Sequence, residues 1–304
     1  MNPFRIFSCA FIFTVSHLFA SHNKIDDANS FDDIRAILKL ADKRFENFTF
    51  YGEKKMLDDT CGLSRGMPLP QAWIKADVDG NGYTDIIISG AYSLDRDILC
   101  VLDKGNNDFQ VKFITRESFG NCCSIKILRS SPQPSFVYYH TRYLPVNRKA
   151  SLLYIDSLMT DTLVYKFGDL VEVNSHSAVS HRIEKISIST SGCFGTCPVF
   201  SMYIDSGKKA NYHADMYNKK KGDFSGKIKN ADYERLVELL NYIDFSTLKN
   251  DYAVTWTDDQ SVTLTITYDG GKVKIISDYG LIGTFGLNRV YDILYDFREN
   301  QTWK

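Results

Sequence analysis

Apolar residues along this chain fall mostly into short runs of period two, with three stretches at helical spacing. Ile34, Ile37, Leu38, Ala41 and Phe45 form the first such stretch, which predicts an amphipathic helix over residues 31–46. Ser30-Phe31-Asp32-Asp33 leads into it as a capping box with Asp in place of Glu. From residue 73 onward the pattern changes. Ile86-Ile87-Ile88, Ile98–Leu102 and Phe109–Phe113 are short β-branched or alternating runs, and residues 124–128, 136–140, 150–155 and 162–167 continue the series. Turn-forming stretches such as Ser130-Ser131-Pro132-Gln133-Pro134 separate them, so a succession of strands is expected.

Residues 169–182 are polar and weakly patterned, and a domain boundary is expected at 175–182. His176 and His181 fall there and read as solvated linker histidines, with metal binding as the alternative. Beyond it, Ile183–Thr190 alternates, and strands follow at 201–205 and 210–216. Lys219-Lys220-Lys221 with Gly222 reads as a solvated turn. Asn230 is placed to cap a helix carrying Tyr233, Leu236, Val237 and Leu240. Asp269-Gly270-Gly271 between residues 262–268 and 272–277 is a hairpin signal. Leu287, Val290, Tyr291 and Leu294 mark a last helix. The fold class is therefore α+β: a mainly antiparallel β domain with one helix over 21–175, then an α+β sandwich of order ββαββα over 183–304.

Composition adds bounds. The 304 residues include 44% hydrophobic and 24% charged side chains, enough for a sizeable core, and global disorder is not expected. The net charge of −1 gives no pull towards nucleic acid or anionic membrane. Residues 1–20 read as a signal peptide: Arg5 precedes an apolar stretch over 6–19, and Ala20-Ser21 offers a cleavage site. No later stretch is apolar enough to span a bilayer. An exported protein, periplasmic, envelope-associated or secreted, is expected, with a protein or glycan as partner.

The sharpest chemistry lies in Asp77-Val78-Asp79-Gly80-Asn81-Gly82-Tyr83-Thr84-Asp85. Oxygen side chains stand at positions 1, 3, 5 and 9, and the glycines permit a tight turn. This arrangement suits a hard cation, and calcium takes several oxygens from such a loop. Position 12 is Ile88 and the exit is β-branched, so the loop is not an EF-hand. A metal-free hairpin turn is the other reading.

Export favours oxidised cysteines. After signal removal Cys61, Cys100, Cys122, Cys123, Cys193 and Cys197 remain, all candidates for disulfides. Cys122 and Cys123 are adjacent and should take separate partners, with Cys61 and Cys100 the obvious ones. Cys193 and Cys197, with three residues between them, suit a local disulfide. A redox dithiol prefers two intervening residues and a helix N-terminus, and zinc needs further ligands, of which only His213 offers itself. Hydrolase and nucleotide-binding signatures are absent: Gly222-Asp223-Phe224-Ser225-Gly226 has its serine one place late. Asp258 and Asp259, neighbours on the chain, suit a turn better than acid/base work.

Two resemblances follow from these residues. Residues 73–113, with the D-x-D-G-N-G-x-x-D loop, resemble one FG-GAP/VCBS repeat, the blade repeat of secreted and integrin-type propellers. The resemblance implies calcium held by Asp77, Asp79, Asn81, Asp85 and the Tyr83 carbonyl. No second D-x-D-G loop occurs, so a closed ring of blades is not implied. Residues 183–297 resemble a secreted bacterial domain of unknown function. The matching features are S-G-C-F-G-x-C-P-x-F at 191–200, Phe245 with Leu248-Lys249 and Tyr252, and Thr257-Asp258 ahead of the hairpin. The expected function is a non-enzymatic exported binding or structural module, stiffened by calcium and disulfides. An envelope thiol–disulfide enzyme using Cys193 and Cys197 is the alternative.

Overall fold

The computed structural model describes residues 22–53, 66–92, 95–116, 122–129, 133–145, 154–175 and 180–304. The signal segment, Cys9, Cys61 and His176 lie outside these residues. In chain order the elements begin with α1 (Lys24–Asp27), α2 (Phe31–Ala41), β1 (Thr49–Phe50), β2 (Trp73–Ala76), β3 (Asp85–Tyr92), β4 (Asp95–Asp103) and β5 (Phe109–Phe113). Next come β6 (Cys123–Arg129), β7 (Ser135–Pro145), β8 (Tyr154–Lys166) and β9 (Asp169–Glu172). The second half holds β10 (Ile183–Thr190), β11 (Phe200–Asp205), β12 (Lys209–Ala214), β13 (Gly222–Lys227), α3 (Asn230–Tyr242), β14 (Asp251–Ala253), β15 (Ser261–Tyr268), β16 (Lys272–Tyr279) and α4 (Phe285–Asn300).

The capping box at Ser30 forms as expected: its hydroxyl accepts from Asp33 N, and the Asp33 carboxylate accepts from Ser30 N. The helix stops earlier than its apolar spacing suggests. Asp42 takes extended backbone and its carboxylate accepts from Arg44 N, so the chain restarts as a short 3₁₀ turn over Lys43–Asn47. That turn still delivers Phe45 to the core.

Three sheets result. In the first, β3, β4 and β5 are consecutive antiparallel neighbours, and β1 and β2 share the remaining side of β3. The second runs β6-β7-β8-β9. The third has seven strands in the order β13-β12-β11-β10-β15-β16-β14, antiparallel except at β14–β16. The chain is thus mostly antiparallel sheet with a few helices. The strand expected at 210–216 forms as β12, and β13 and β14 add to it, so the second half is richer than ββαββα. Residues 222–227 carry too few apolar side chains to read as a strand alone; pairing with β12 makes them one.

The layers explain the composition of the strands. One face of β3 and β4 (Ile86, Ile88, Leu99, Val101) packs on α1, α2 and Phe45. The other face (Ile87, Ile98, Cys100, Leu102) packs on Ile125, Phe136 and Leu163 of the second sheet. A strand buried on both faces must be apolar at consecutive positions, which accounts for Ile86-Ile87-Ile88. The third sheet packs one face on α3 and α4, and Val164 and Val171 of β8 and β9 join that same core.

Polar contacts tie the halves further. Both Glu172 carboxylate oxygens accept from the first turn of α4, from Phe285 N at 2.5 Å and Gly286 N at 2.8 Å. Arg289 Nε and Arg235 both donate to the Phe167 carbonyl. Two sequence expectations change. Asn230 is the first residue of α3 rather than its cap, and its side chain accepts from Lys208 Nζ. His181 is not a solvated linker residue: its Nδ1 lies 2.7 Å from Asp269 Oδ2, with the ring against Phe245 and Tyr268.

Candidate metal centre

The loop between β2 and β3 gathers the acidic residues singled out by their spacing. Gly80 and Gly82 adopt φ of +75° and +87°, a region costly for side-chain-bearing residues. The turn they permit brings one ligand atom from each of Asp77, Asp79 and Asp85 within 4.8 Å of one another. Two oxygens on opposite sides of one calcium ion, each about 2.3–2.6 Å from it, span about the same distance. Among the described residues this is the one group of three such side chains so placed.

The three carboxylates are held differently. Asp77 is half-buried and accepts from Asn81 N and Gly82 N, each at 3.0 Å. Asp79 accepts from Asn81 N at 3.2 Å, and its Oδ2 receives the Lys104 ammonium. Asp85 is fully buried. Its Oδ2 accepts from Val78 N at 2.7 Å and Asp79 N at 3.3 Å, and its Oδ1 from Asp103 N at 2.7 Å. It therefore braces the loop and the end of β4 whether or not a metal is bound. Burial raises its pKa to about 7, against the backbone N–H donors, which favour the carboxylate.

Asn81 is turned towards backbone: its Oδ1 accepts from Tyr83 N at 2.8 Å and its Nδ2 donates to the Asp103 carbonyl at 2.7 Å. The Tyr83 ring covers Gly105, where an added Cβ would stand about 3.1 Å from it. The turn after β4 is thus part of the site, and Lys104 is its missed member. Antiparallel pairing of β3 with β4 carries Lys104 to the loop, and only the strand register could have signalled this. The donor set, three carboxylates with one ammonium, carries net negative charge made of hard oxygens. It fits a hard divalent cation, which Asp77, Asp79 and Asp85 would hold and with which Lys104 would compete for Asp79.

The cysteines divide as follows. Cys193 and Cys197 form a disulfide with Cα atoms 5.7 Å apart. It closes the loop between β10 and β11 and does not sit at a helix N-terminus. Gln260 Nε2 donates to the Ser191 and Pro198 carbonyls, and Phe194 N to the Asp258 carbonyl, fastening the loop. Cys122 is disulfide-bonded. Cys100 and Cys123, expected among the bridged cysteines, are free buried thiols. Both point into the core between the first two sheets, and burial raises both pKa values, that of Cys123 to about 12. Apolar burial explains them without any bridge.

No helix among the described residues is long and apolar enough to cross a membrane. No curated protein and no solved structure matches the chain. Residues 184–297, from β10 into α4, match the family model described as Domain of unknown function (DUF6438).

Proposed function

We propose that this chain is an exported, non-enzymatic binding or structural module whose Asp77–Asp85 loop takes one calcium ion. The observation that carries the reading is the convergence of three carboxylates within 4.8 Å on a hairpin loop. The signal-like residues 1–20 and the FG-GAP/VCBS-like spacing of 73–113 support it. The loop joins strands of the central layer, so an ion there would tie β2, β3 and the end of β4 together. Its effect is linkage: a ligand bound only by the folded chain adds stability by mass action. The partner is a protein or glycan outside the cytoplasm.

The test is a thermal melt of residues 21–304 in EDTA, in millimolar calcium and in millimolar magnesium. The expected outcome is a calcium-selective rise. With a dissociation constant of ~10⁻⁴–10⁻³ M, a few millimolar calcium stabilises by about 1–2 kcal/mol. Equal melts in all three buffers would overturn the reading.

A further inference from the structure

A second site, independent of the acidic loop, lies at the far edge of the seven-stranded sheet. There a small cavity of about 200 Å³ opens between β12, β13 and the C-terminal end of α4. Part of its wall is aromatic. Tyr212 stacks on Phe224 at 5.7 Å and meets Trp303 at 5.1 Å between ring centroids.

The wall is built rather than incidental. The chain after α4 turns back and pairs with β13: Ser225 and Lys304 exchange both backbone hydrogen bonds at 3.0 Å. Gly226 makes this approach possible. A Cβ there would meet the Thr302 carbonyl at 2.6 Å and the Trp303 ring at 3.1 Å. Trp303 Nε1 donates to the Phe297 carbonyl at 3.0 Å, which fixes the indole. Gln301 is locked too, accepting from Lys229 N and donating to Asp232.

The charge in the cavity is unbalanced. Arg298 is half-buried between the rings of Phe200 and Tyr295. Its hydrogen bonds go to neutral acceptors, Asn218 Oδ1 at 2.8 Å and the Tyr295 carbonyl at 3.0 Å. Among the described residues it has no carboxylate partner. Lys219 pairs with Glu299, while Lys220, which also lines the cavity, has no ion pair among the described residues. A partly desolvated guanidinium that keeps only neutral partners favours an added anion.

We infer that this cavity binds a small six-membered ring bearing a carboxylate, its ring against Phe224 and Trp303 and its carboxylate towards Arg298 and Lys220. Aromatic walls with a few charged groups are what such a ligand requires. The volume accommodates a single ring. The same chemistry occurs in aromatic acids and in uronic sugars, and the assay separates the two.

The test uses the full mature chain with its disulfides intact. The chain has three tryptophans, so ¹⁵N-labelled protein should give three indole signals. Benzoate and glucuronate are titrated into the millimolar range, with benzyl alcohol and glucose as neutral counterparts. The expected result is a saturable shift of the Trp303 indole signal with one acid and not with its neutral counterpart. Response to benzoate identifies an aromatic acid, and response to glucuronate a uronic sugar. Lys220→Glu, on an exposed turn, should leave the melt unchanged and weaken binding about tenfold. Silence with both acids, equal response to the neutral counterparts, or unaltered binding by Lys220→Glu would each overturn the inference.

Discussion

Replacing Asp85 by Ala should separate bracing from metal binding. Asp85 is fully buried and receives three backbone N–H donors, two at 2.7 Å and one at 3.3 Å. Alanine leaves those donors unpaired where water has little access, at about 1–3 kcal/mol each. With the long contact counted lightly, Asp85→Ala should cost about 3–5 kcal/mol even in EDTA, a large part of a typical domain's ~5–15 kcal/mol. Asp77→Ala is the comparator. It removes two 3.0 Å contacts to Asn81 N and Gly82 N at an exposed turn where water replaces the acceptor, for about 1 kcal/mol. The assay is urea unfolding followed by tryptophan fluorescence, with Trp73 at the start of β2 as a local reporter. In EDTA Asp85→Ala should be far the weaker variant. In calcium Asp77→Ala should lose the metal-induced increment while keeping most of its metal-free stability. Equal losses for the two variants in EDTA would refute the bracing role of Asp85.

Lys104→Met removes the ammonium that competes for Asp79; calcium should bind tighter by on the order of tenfold, the metal-free protein should melt lower, and calorimetry that finds unchanged affinity would exclude competition. The raised pKa of Asp85, about 7, means that the folded state holds the proton more tightly than the unfolded chain does. Its contribution to stability is therefore full below about pH 4 and declines as pH rises to about 7. Melts in EDTA should fall between pH 5 and pH 8, and calcium should narrow that gap. Burial also raises Asp278 and, to about 6, Asp292, which add to the same fall, whereas lowered carboxylates such as Asp33 and Asp269 titrate below this window. Glu172→Ala should cost about 2 kcal/mol by uncapping α4, where Thr284 would still hold Leu287 N. Because the cap joins β9 to α4, circular dichroism melts should show both halves weakened, and an unchanged melt would show that the contact carries no load.

Much of the fold was legible as pattern. Period-two runs located most strands, helical spacing located α2, α3 and α4, and Asp269-Gly270-Gly271 marked the β15–β16 hairpin. These are local signals, fixed by which faces a residue must bury. The loop Asp77–Asp85 was legible for a similar reason: alternate oxygens and glycines over nine residues specify a turn with converging side chains. Strand β13 was not, because Gly222–Lys227 has little apolar side chain and becomes a strand only by pairing with β12. The free state of Cys100 and Cys123 was hidden as well, since cysteine identity does not tell a core thiol from a bridge.

The sequence by itself determined the class of structure, the two helices of the second half, the hairpin loops and the acidic composition of one of them. Tertiary structure decided which of those residues share a site. It placed Lys104 on Asp79 across two strands, made Asp85 a brace by burying it under three amides, and brought Trp303 beside Tyr212, which lies 91 positions earlier in the chain. It also set Glu172 on the N-terminus of α4. The physical reason is one of range. Periodicity and turn chemistry act over a few residues, whereas burial, charge pairing and pocket walls depend on strand register and layer packing, which the whole chain settles together.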